Sequence, residues 1–456
     1  MNGNRKLKVV MAAILGAGAT AAPVAFAQEL PDFEQWQCRF CPFPDKGLQG
    51  SAGASVLSVS DDSARFGNYT GLDEDGAYLN ADAELMYRAE GGYAVSVDVR
   101  NLGLDSRALD ISAGRQGHWV VDLAWSEIPR RLDDTGRTVY NGLGSSSLTL
   151  PADWVRGDFT SSLPGLQQNL RNFTLGWDRE TLALGVEYVQ SARVRYELDW
   201  TYQTKQGRGL TWGNFLGGAQ DLVKPLDYET NQVDAALIYT GDNWNIRAGY
   251  FGSIFSNKDL LLTWENPFTG PDRGRSAMAP DNTYHQAQVS GAYQFAAWDT
   301  VLNASYAMGR MEQGDVLLQY TLNPAVPFNA LPTERFNGKV DTTHANLRLT
   351  SRPTDRMRLV GEFRYSERDN KSGQYEWTPV QSDAMPGVPF VNPVYSFEDT
   401  DFRLLAEYRL SRTLQGTVGW QRKERERDYQ KVDRNEEDSY FARLRFLDRL
   451  ALDAAE

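Results

Sequence analysis

The sequence predicts an all-β protein, a transmembrane antiparallel β-barrel, from three observations. Apolar and polar residues alternate over many runs of about nine to twelve residues, short turns separate many of these runs, and an export signal opens the chain. A period of two residues indicates a β-strand, because successive side chains of a strand point to opposite faces. Turns of two to five residues make consecutive strands antiparallel neighbours.

The length of the runs favours a membrane barrel over a soluble β protein. Soluble strands average about five or six residues, whereas a tilted strand needs about 9–11 residues to cross the hydrocarbon layer. Aromatic residues also stand near the predicted strand ends: Trp125, Tyr188, Tyr202, Trp420 and Tyr440. A soluble β-sandwich alternates in the same way, so the alternation by itself fits both architectures.

Residues 1–27 are predicted to be a signal peptide. Arg5, Lys6 and Lys8 form a basic start, Val9–Ala22 is apolar, and Ala25-Phe26-Ala27 fits the small-x-small cleavage pattern. An N-terminal anchor helix is the alternative, but the apolar run is short and rich in alanine and glycine. Export and the absence of any other long apolar stretch predict a protein of the bacterial outer membrane.

The composition argues against a nucleic-acid partner and suits a membrane interface. The formal net charge of the 456 residues is −13, whereas a nucleic-acid-binding surface is basic. The chain has 12 Trp, 21 Tyr and 20 Phe but a mean hydropathy of −0.50. Aromatic girdles around a polar lumen would explain this combination.

Residues 28–60 are predicted to form an N-terminal periplasmic or plug-like segment, with a weak first strand at 53–60. This segment holds the two cysteines of the chain, Cys38 and Cys41. The Cys-x-x-Cys motif lacks the following His of a haem c attachment site. A disulfide in the oxidising periplasm and a thiol pair used in assembly are both compatible with the sequence.

Residues 61–446 are predicted to form the barrel, with about sixteen strands counted over the chain. The strongest alternation lies in Tyr78–Ser126, which contains four strands, and in Val194–Gln203. Later connections alternate between short and long, as expected for periplasmic turns and external loops. The long connections are expected at 205–228, 258–282, 313–339 and 371–397. We interpret 127–169 as a loop that hides one further strand, and 447–456 as an atypical tail after an incomplete barrel.

The polar face of the predicted strands carries both signs of charge. Its lumen-facing candidates are Asp98, Arg100, Asp122, Arg195, Glu197 and Asp199. Such residues suit a water-filled lumen, and equally a polar sleeve fitted to a protein that passes through it.

No sequence motif indicates an enzyme or a metal site. The histidines His118, His285 and His344 are far apart, and the acidic residues at 61–62 and 73–75 lack the spacing of an EF-hand. A solvated turn is the better interpretation of these acidic residues. We expect no catalytic, cofactor-binding or metal-binding residue in this chain.

Several short segments along the chain carry a resemblance to a known family. The first of them is Trp36-Gln37-Cys38-Arg39-Phe40-Cys41, just after the predicted signal peptide. The others are Ala113-Gly114-Arg115-Gln116-Gly117, Leu148-Thr149-Leu150-Pro151-Ala152-Asp153-Trp154, Gly252-Ser253-Ile254-Phe255-Ser256-Asn257, Met278-Ala279-Pro280-Asp281-Asn282 and Arg427-Asp428-Tyr429-Gln430. Taken together, these segments resemble the MtrB/PioB family of decahaem-associated outer-membrane proteins.

The resemblance implies a porin-like sheath around a periplasmic multihaem c-type cytochrome, often with a second, extracellular multihaem cytochrome. Such an assembly carries electrons across the outer membrane, in metal reduction or iron oxidation, and its haem c belongs to the cytochrome. The resemblance also implies a role for Cys38 and Cys41 in biogenesis or complex stability. A general diffusion porin is the alternative function, and an outer-membrane enzyme or adhesin is a third.

Overall fold

The computed structural model describes residues 46–215, 218–270, 272–381 and 385–446. The predicted signal peptide, Cys38, Cys41 and the tail 447–456 lie outside these ranges. None of the helices in the described ranges is long and apolar enough to cross a membrane.

The described chain is built almost entirely of β-strands. In chain order they are β1 (Gly47–Val59), β2 (Gly76–Arg88), β3 (Tyr93–Leu102), β4 (Ala108–Arg115), β5 (Trp119–Thr138), β6 (Ser147–Leu148), β7 (Arg171–Ser191), β8 (Val194–Phe215), β9 (Gly218–Thr240), β10 (Trp244–Asn257), β11 (Leu261–Glu265), β12 (Arg273–Ala277), β13 (Asn282–Phe295), β14 (Thr300–Val316), β15 (Arg335–Thr354), β16 (Met357–Asn370), β17 (Glu376–Trp377), β18 (Val380–Gln381), β19 (Met385–Pro386), β20 (Phe390–Val391), β21 (Phe397–Arg409), β22 (Leu414–Arg427) and β23 (Arg434–Phe446). Two four-residue helices, α1 (Ala64–Gly67) and α2 (Leu166–Asn169), lie in connections.

Sixteen of these strands form one antiparallel sheet, which confirms the predicted fold class. Its order is β1-β2-β3-β4-β5-β7-β8-β9-β10-β13-β14-β15-β16-β21-β22-β23, so each strand pairs with the next long strand along the chain. The sheet begins at Gly47, inside the segment 28–60 that the sequence interpretation placed before the barrel. Within the described ranges, β1 and β23 have no strand partner on their outer edges.

Short and long connections alternate from β9 to β22, whereas earlier in the sheet several short connections follow one another, between β2 and β5 and between β7 and β10. The prediction of a further barrel strand within 127–169 is wrong, because β5 continues to Thr138 and the rest of that segment contributes only β6. The prediction of a long loop at 205–228 is also wrong. There β8 and β9 extend to 22 and 23 residues and leave only residues 216–217 between them.

The main hydrophobic core in the described ranges lies in the long connections, away from the middle of the sheet. Strand β11 pairs antiparallel with β12 and parallel with β6. This three-stranded sheet packs against the extended β8–β9 hairpin around seven buried side chains, namely Val139, Tyr140, Leu148, Phe215, Leu222, Leu262 and Trp264. We refer to this assembly of long connections as the loop domain.

Candidate functional site

One face of the sixteen-stranded sheet is apolar and exposed. The register aligns Leu85, Val97, Ile111, Leu123 and Leu184 across β2, β3, β4, β5 and β7. The same face continues to the far edge of the sheet, where Val418 is 58% exposed and Leu444 64% exposed. An exposed apolar surface of this extent is unfavourable in water and is typical of a sheet face that meets lipid.

Aromatic side chains mark the end of the apolar face that carries the short turns. Exposed examples lie within four residues of these turns: Tyr87, Tyr93, Tyr188, Tyr196, Trp244, Phe295 and Tyr408. Towards the long connections, two indole Nε1 atoms donate hydrogen bonds to carboxylates, Trp125 to Glu180 at 2.7 Å and Trp420 to Asp438 at 3.1 Å. Aromatic residues with one apolar and one polar side suit the two interfaces of a membrane.

The opposite face of the sheet, called here the charged face, carries ion pairs within strands and between strands. Arg195 lies 3.2 Å from Glu197, and Arg247 lies 3.7 Å from the same carboxylate and 3.1 Å from Asp234. Arg100 lies 2.7 Å from Asp98 and 2.5 Å from Asp110. Four of the six predicted polar candidates are therefore members of these two ion-paired groups.

Asp122 and Asp199, the other two predicted candidates, approach each other across a glycine. Asp122 is opposite Gly185, Gly185 is opposite Asp199, and Asp199 is opposite Asp234. A Cβ atom on Gly185 would lie 3.1 Å from Asp199 Oδ1 and 3.8 Å from Asp122 Oδ2. The missing side chain thus leaves room for two carboxylates from β5 and β8, the strands on either side of β7.

The charged face continues on the later strands with the same pairing of signs. Glu362 on β16 lies 3.4 Å from Arg348 on β15 and 3.9 Å from Arg403 on β21, and its side chain is only 14% exposed. The charges of this face are thus arranged as a network across strands.

A group of four basic residues on the charged face was missed by the sequence analysis. Arg130, Arg179, Lys205 and Lys224 lie on β5, β7, β8 and β9, and the ring of Trp177 lies beside Arg130 and Lys205. We call them, with Trp177, the basic cluster. The periodic pattern did not reveal the cluster, because 127–169 and 205–228 were interpreted as loops.

The acidic residues at 61–62 and 73–75, near the start of the sheet, make contacts that hold the chain in place. Asp62 Oδ1 accepts a hydrogen bond from the Asp75 amide at 2.7 Å, and Asp73 lies 3.2 Å from Arg131. No group of three or more His, Cys, Asp or Glu residues in the described ranges could hold a metal ion. These contacts agree with the interpretation of the acidic residues as a turn.

The sequence matches the family model of the outer membrane β-barrel porin MtrB/PioB over residues 58–454. It is 31% identical over 414 residues to the outer membrane protein MtrB of Shewanella baltica (strain OS185), in a match that covers 90% of this chain and 58% of that protein. The chain therefore spans less than two thirds of the length of this relative.

Two solved outer-membrane proteins match this chain at low sequence identity and low TM-score. OmpT of Vibrio cholerae is 10% identical, with a TM-score of 0.30 and coverage of 88% of this chain and 97% of that chain. The ferric citrate transporter FecA is 10% identical, with a TM-score of 0.40 and coverage of 88% and 56%. Likenesses of this size say nothing specific about the present chain.

Proposed function

Because this chain belongs to the MtrB/PioB family of outer-membrane β-barrel porins, we propose that it is the sheath of a porin–cytochrome conduit. The sheet holds a periplasmic multihaem c-type cytochrome within the outer membrane, and a second multihaem cytochrome docks at the extracellular end. The assembly carries electrons to or from extracellular iron or other acceptors. In this proposal the barrel itself catalyses no reaction.

The paired charges of the charged face are the observation that supports this function most directly. A network such as Arg348–Glu362–Arg403 presents both signs of charge at fixed positions, and the opposite face is apolar. A protein surface of complementary polarity can therefore lie against the charged face without meeting lipid. The hydrocarbon layer offers no hydrogen-bond partners, so a polar cytochrome crosses it only inside such an enclosure.

Electron transfer in this proposal belongs to the haem groups of the cytochrome, and this chain binds, orients and insulates their carrier. The predicted lumen-facing residues Asp98, Arg100, Asp122, Arg195, Glu197 and Asp199 line the enclosure. The apolar face provides the electrical insulation by keeping the hydrocarbon layer continuous around the sheet.

The test is purification of the native protein from outer membranes, followed by haem staining and reconstitution into liposomes that enclose an electron acceptor. The expected result is a multihaem cytochrome in fixed proportion to the barrel and reduction of the enclosed acceptor by an external donor. A preparation that conducts small solutes and carries no haem would contradict the conduit and support a general diffusion porin.

We further propose that Cys38 and Cys41 serve assembly. Replacement of both cysteines by serine is expected to lower the amount of barrel–cytochrome complex, while the haem content of each cytochrome stays the same. Quantitative haem staining of outer membranes, normalised to cytochrome protein, measures both quantities. Unchanged levels of barrel and complex in the double variant would speak against this role.

A further inference from the structure

We propose that the basic cluster is the docking site for an acidic surface of the protein that the sheet encloses. This inference rests on the proposed function. It adds where the barrel contacts the enclosed cytochrome and which sign of charge the cytochrome carries at that contact. It predicts that an acidic patch of the cytochrome lies against β5, β7, β8 and β9, below the loop domain.

The register brings the cluster together on one face of four adjacent strands. Arg130 is opposite Trp177, Arg179 is opposite Lys205, and Lys224 is opposite Gly209. A Cβ atom on Gly209 would lie 3.3 Å from Lys224 Cε, so the lysine side chain lies over the glycine towards β8. The four cations thus share one local surface.

Aromatic rings hold two of these cations in place. Lys205 Nζ lies 4.1 Å from the ring centroid of Trp177, and the guanidinium carbon of Arg130 lies 5.8 Å from the same ring. Arg130 also stacks on Tyr69, at 4.1 Å. Cations that are already ordered by aromatic rings lose little side-chain entropy when an anion binds.

The cluster lacks the acidic partners found elsewhere on the charged face. Among the residues that the structure describes, no carboxylate forms an ion pair with Arg130, Arg179, Lys205 or Lys224, and the Nε atom of Arg130 is buried without a hydrogen-bond partner. By contrast, Arg195, Arg247 and Arg348 all have carboxylate partners. Neighbouring like charges repel one another, so a negatively charged ligand would stabilise this arrangement.

The spread of the cations favours a protein surface over a small anion. Adjacent strands lie about 4.8 Å apart, so the cluster extends over roughly 14 Å across four strands. One phosphate or carboxylate cannot contact all four side chains at that separation, whereas several Asp and Glu residues on a protein surface can. Because the chain has a net charge of −13, a local basic site would also direct an acidic partner to one position.

The test compares three variants of the full chain in their affinity for the cognate cytochrome, measured in detergent at about 20 mM and 500 mM salt. Replacement of two cations in R179Q/K205Q is expected to raise the Kd roughly tenfold at low salt and to have little effect at high salt. The charge-conserving R179K variant is expected to retain the wild-type affinity.

R310Q/K371Q is the matched control, since it also removes two positive charges. Arg310 and Lys371 both pair with Asp341, at 2.6 Å and 2.8 Å, away from the charged face. A heat-dependent shift in gel mobility verifies that each variant is folded.

Three results would overturn the docking site. An unchanged Kd in R179Q/K205Q, or an equal loss of affinity in R310Q/K371Q, would refute it while leaving the conduit intact. A wild-type barrel that binds no cytochrome would refute both the site and the conduit.

Discussion

At the residue scale, Tyr140 connects the strands to the loop domain. It is 2% exposed, and its hydroxyl donates a hydrogen bond to the Glu265 carbonyl oxygen at 3.0 Å. Burial, and after it the charge of Glu265, raises the pKa of the Tyr140 phenol well above its usual value. The residue is therefore neutral in the folded loop domain.

Because the pKa is raised on folding, Tyr140 contributes stability that is fully present below about pH 10 and is lost at higher pH. The loop domain should become sensitive to an alkali-stable protease above that pH. Tyr140→Phe should remove this transition and cost about 1–2 kcal/mol at pH 7, because the Glu265 carbonyl loses its donor. Tyr429→Phe, on an exposed connection, is the control that keeps the transition; a persistent transition in Tyr140→Phe would assign it to another group.

Gly185 shows at the same scale how a missing side chain shapes the charged face. In the sequence, Gly185 is simply a position on the charged face of β7 without a polar side chain. Nothing in the strand pattern places it between Asp122 and Asp199. The antiparallel register turns that interruption into a space that the two carboxylates share.

At the element scale, Arg131 on β5 forms ion pairs with two connections, the one between β1 and β2 and the one between β3 and β4. Its guanidinium lies 3.2 Å from Asp73, 3.0 Å from Asp105 and 2.6 Å from Asp178, and its side chain is 19% exposed. The connection between β1 and β2 also docks on β5 through hydrogen bonds from the Ala64 amide to Asp134 and from the Tyr69 amide to the Pro129 carbonyl.

Arg131→Gln is expected to loosen residues 60–75 without unfolding the sheet. Removal of one cation from three carboxylates should lower the local opening free energy by about 1–3 kcal/mol. Hydrogen exchange of that segment measures the change. Arg193→Gln, which breaks the exposed pair with Asp242, should leave exchange at 60–75 as in the wild type, and an equal response in both variants would contradict the role of Arg131.

The extended β8–β9 hairpin is the element that carries the loop domain. Leu222 and Val223, neighbours on β9 whose side chains point to opposite sides, are 0% and 1% exposed. Leu222 packs in the main core, and Val223 packs with Phe173 and Leu175. The hairpin is therefore buried on both sides, as is typical of a structural framework and unlike a flexible loop.

At the scale of the whole molecule, the two faces of the sheet meet different environments. Leu198→Arg would place a charge on the apolar face, where the cost is about 2–4 kcal/mol near the middle of the bilayer. Thr201→Arg places the same charge three residues away on the charged face and should be tolerated. The amount of heat-modifiable barrel in outer membranes measures the difference, and equal yields would show that Leu198 does not face lipid.

The edges of the sheet are also a property of the whole molecule. In the described ranges, β1 and β23 pair on one side only, and unpaired backbone groups are costly in a hydrocarbon environment. In such an environment each of these two edges needs a further hydrogen-bonding partner.

The positions of most strands and the faces of their side chains follow from the sequence alone, because strand geometry imposes a period of two residues. In β8 it separated Leu198 and Trp200 from Glu197 and Asp199 without knowledge of any neighbour. Together with the resemblance in short segments, this was sufficient for the fold class, the family and the charged face.

The contacts between residues on different strands depend instead on how the strands pair in the folded protein. The contact of Arg247 with Glu197, the space at Gly185 and the basic cluster depend on register, which sequence periodicity does not specify. The extension of the β8–β9 hairpin escaped prediction for a related reason. The part of the hairpin that packs in the loop domain is buried on both sides by distant connections. A strand between lipid and a polar interior alternates apolar and polar residues, and this alternation is therefore absent there.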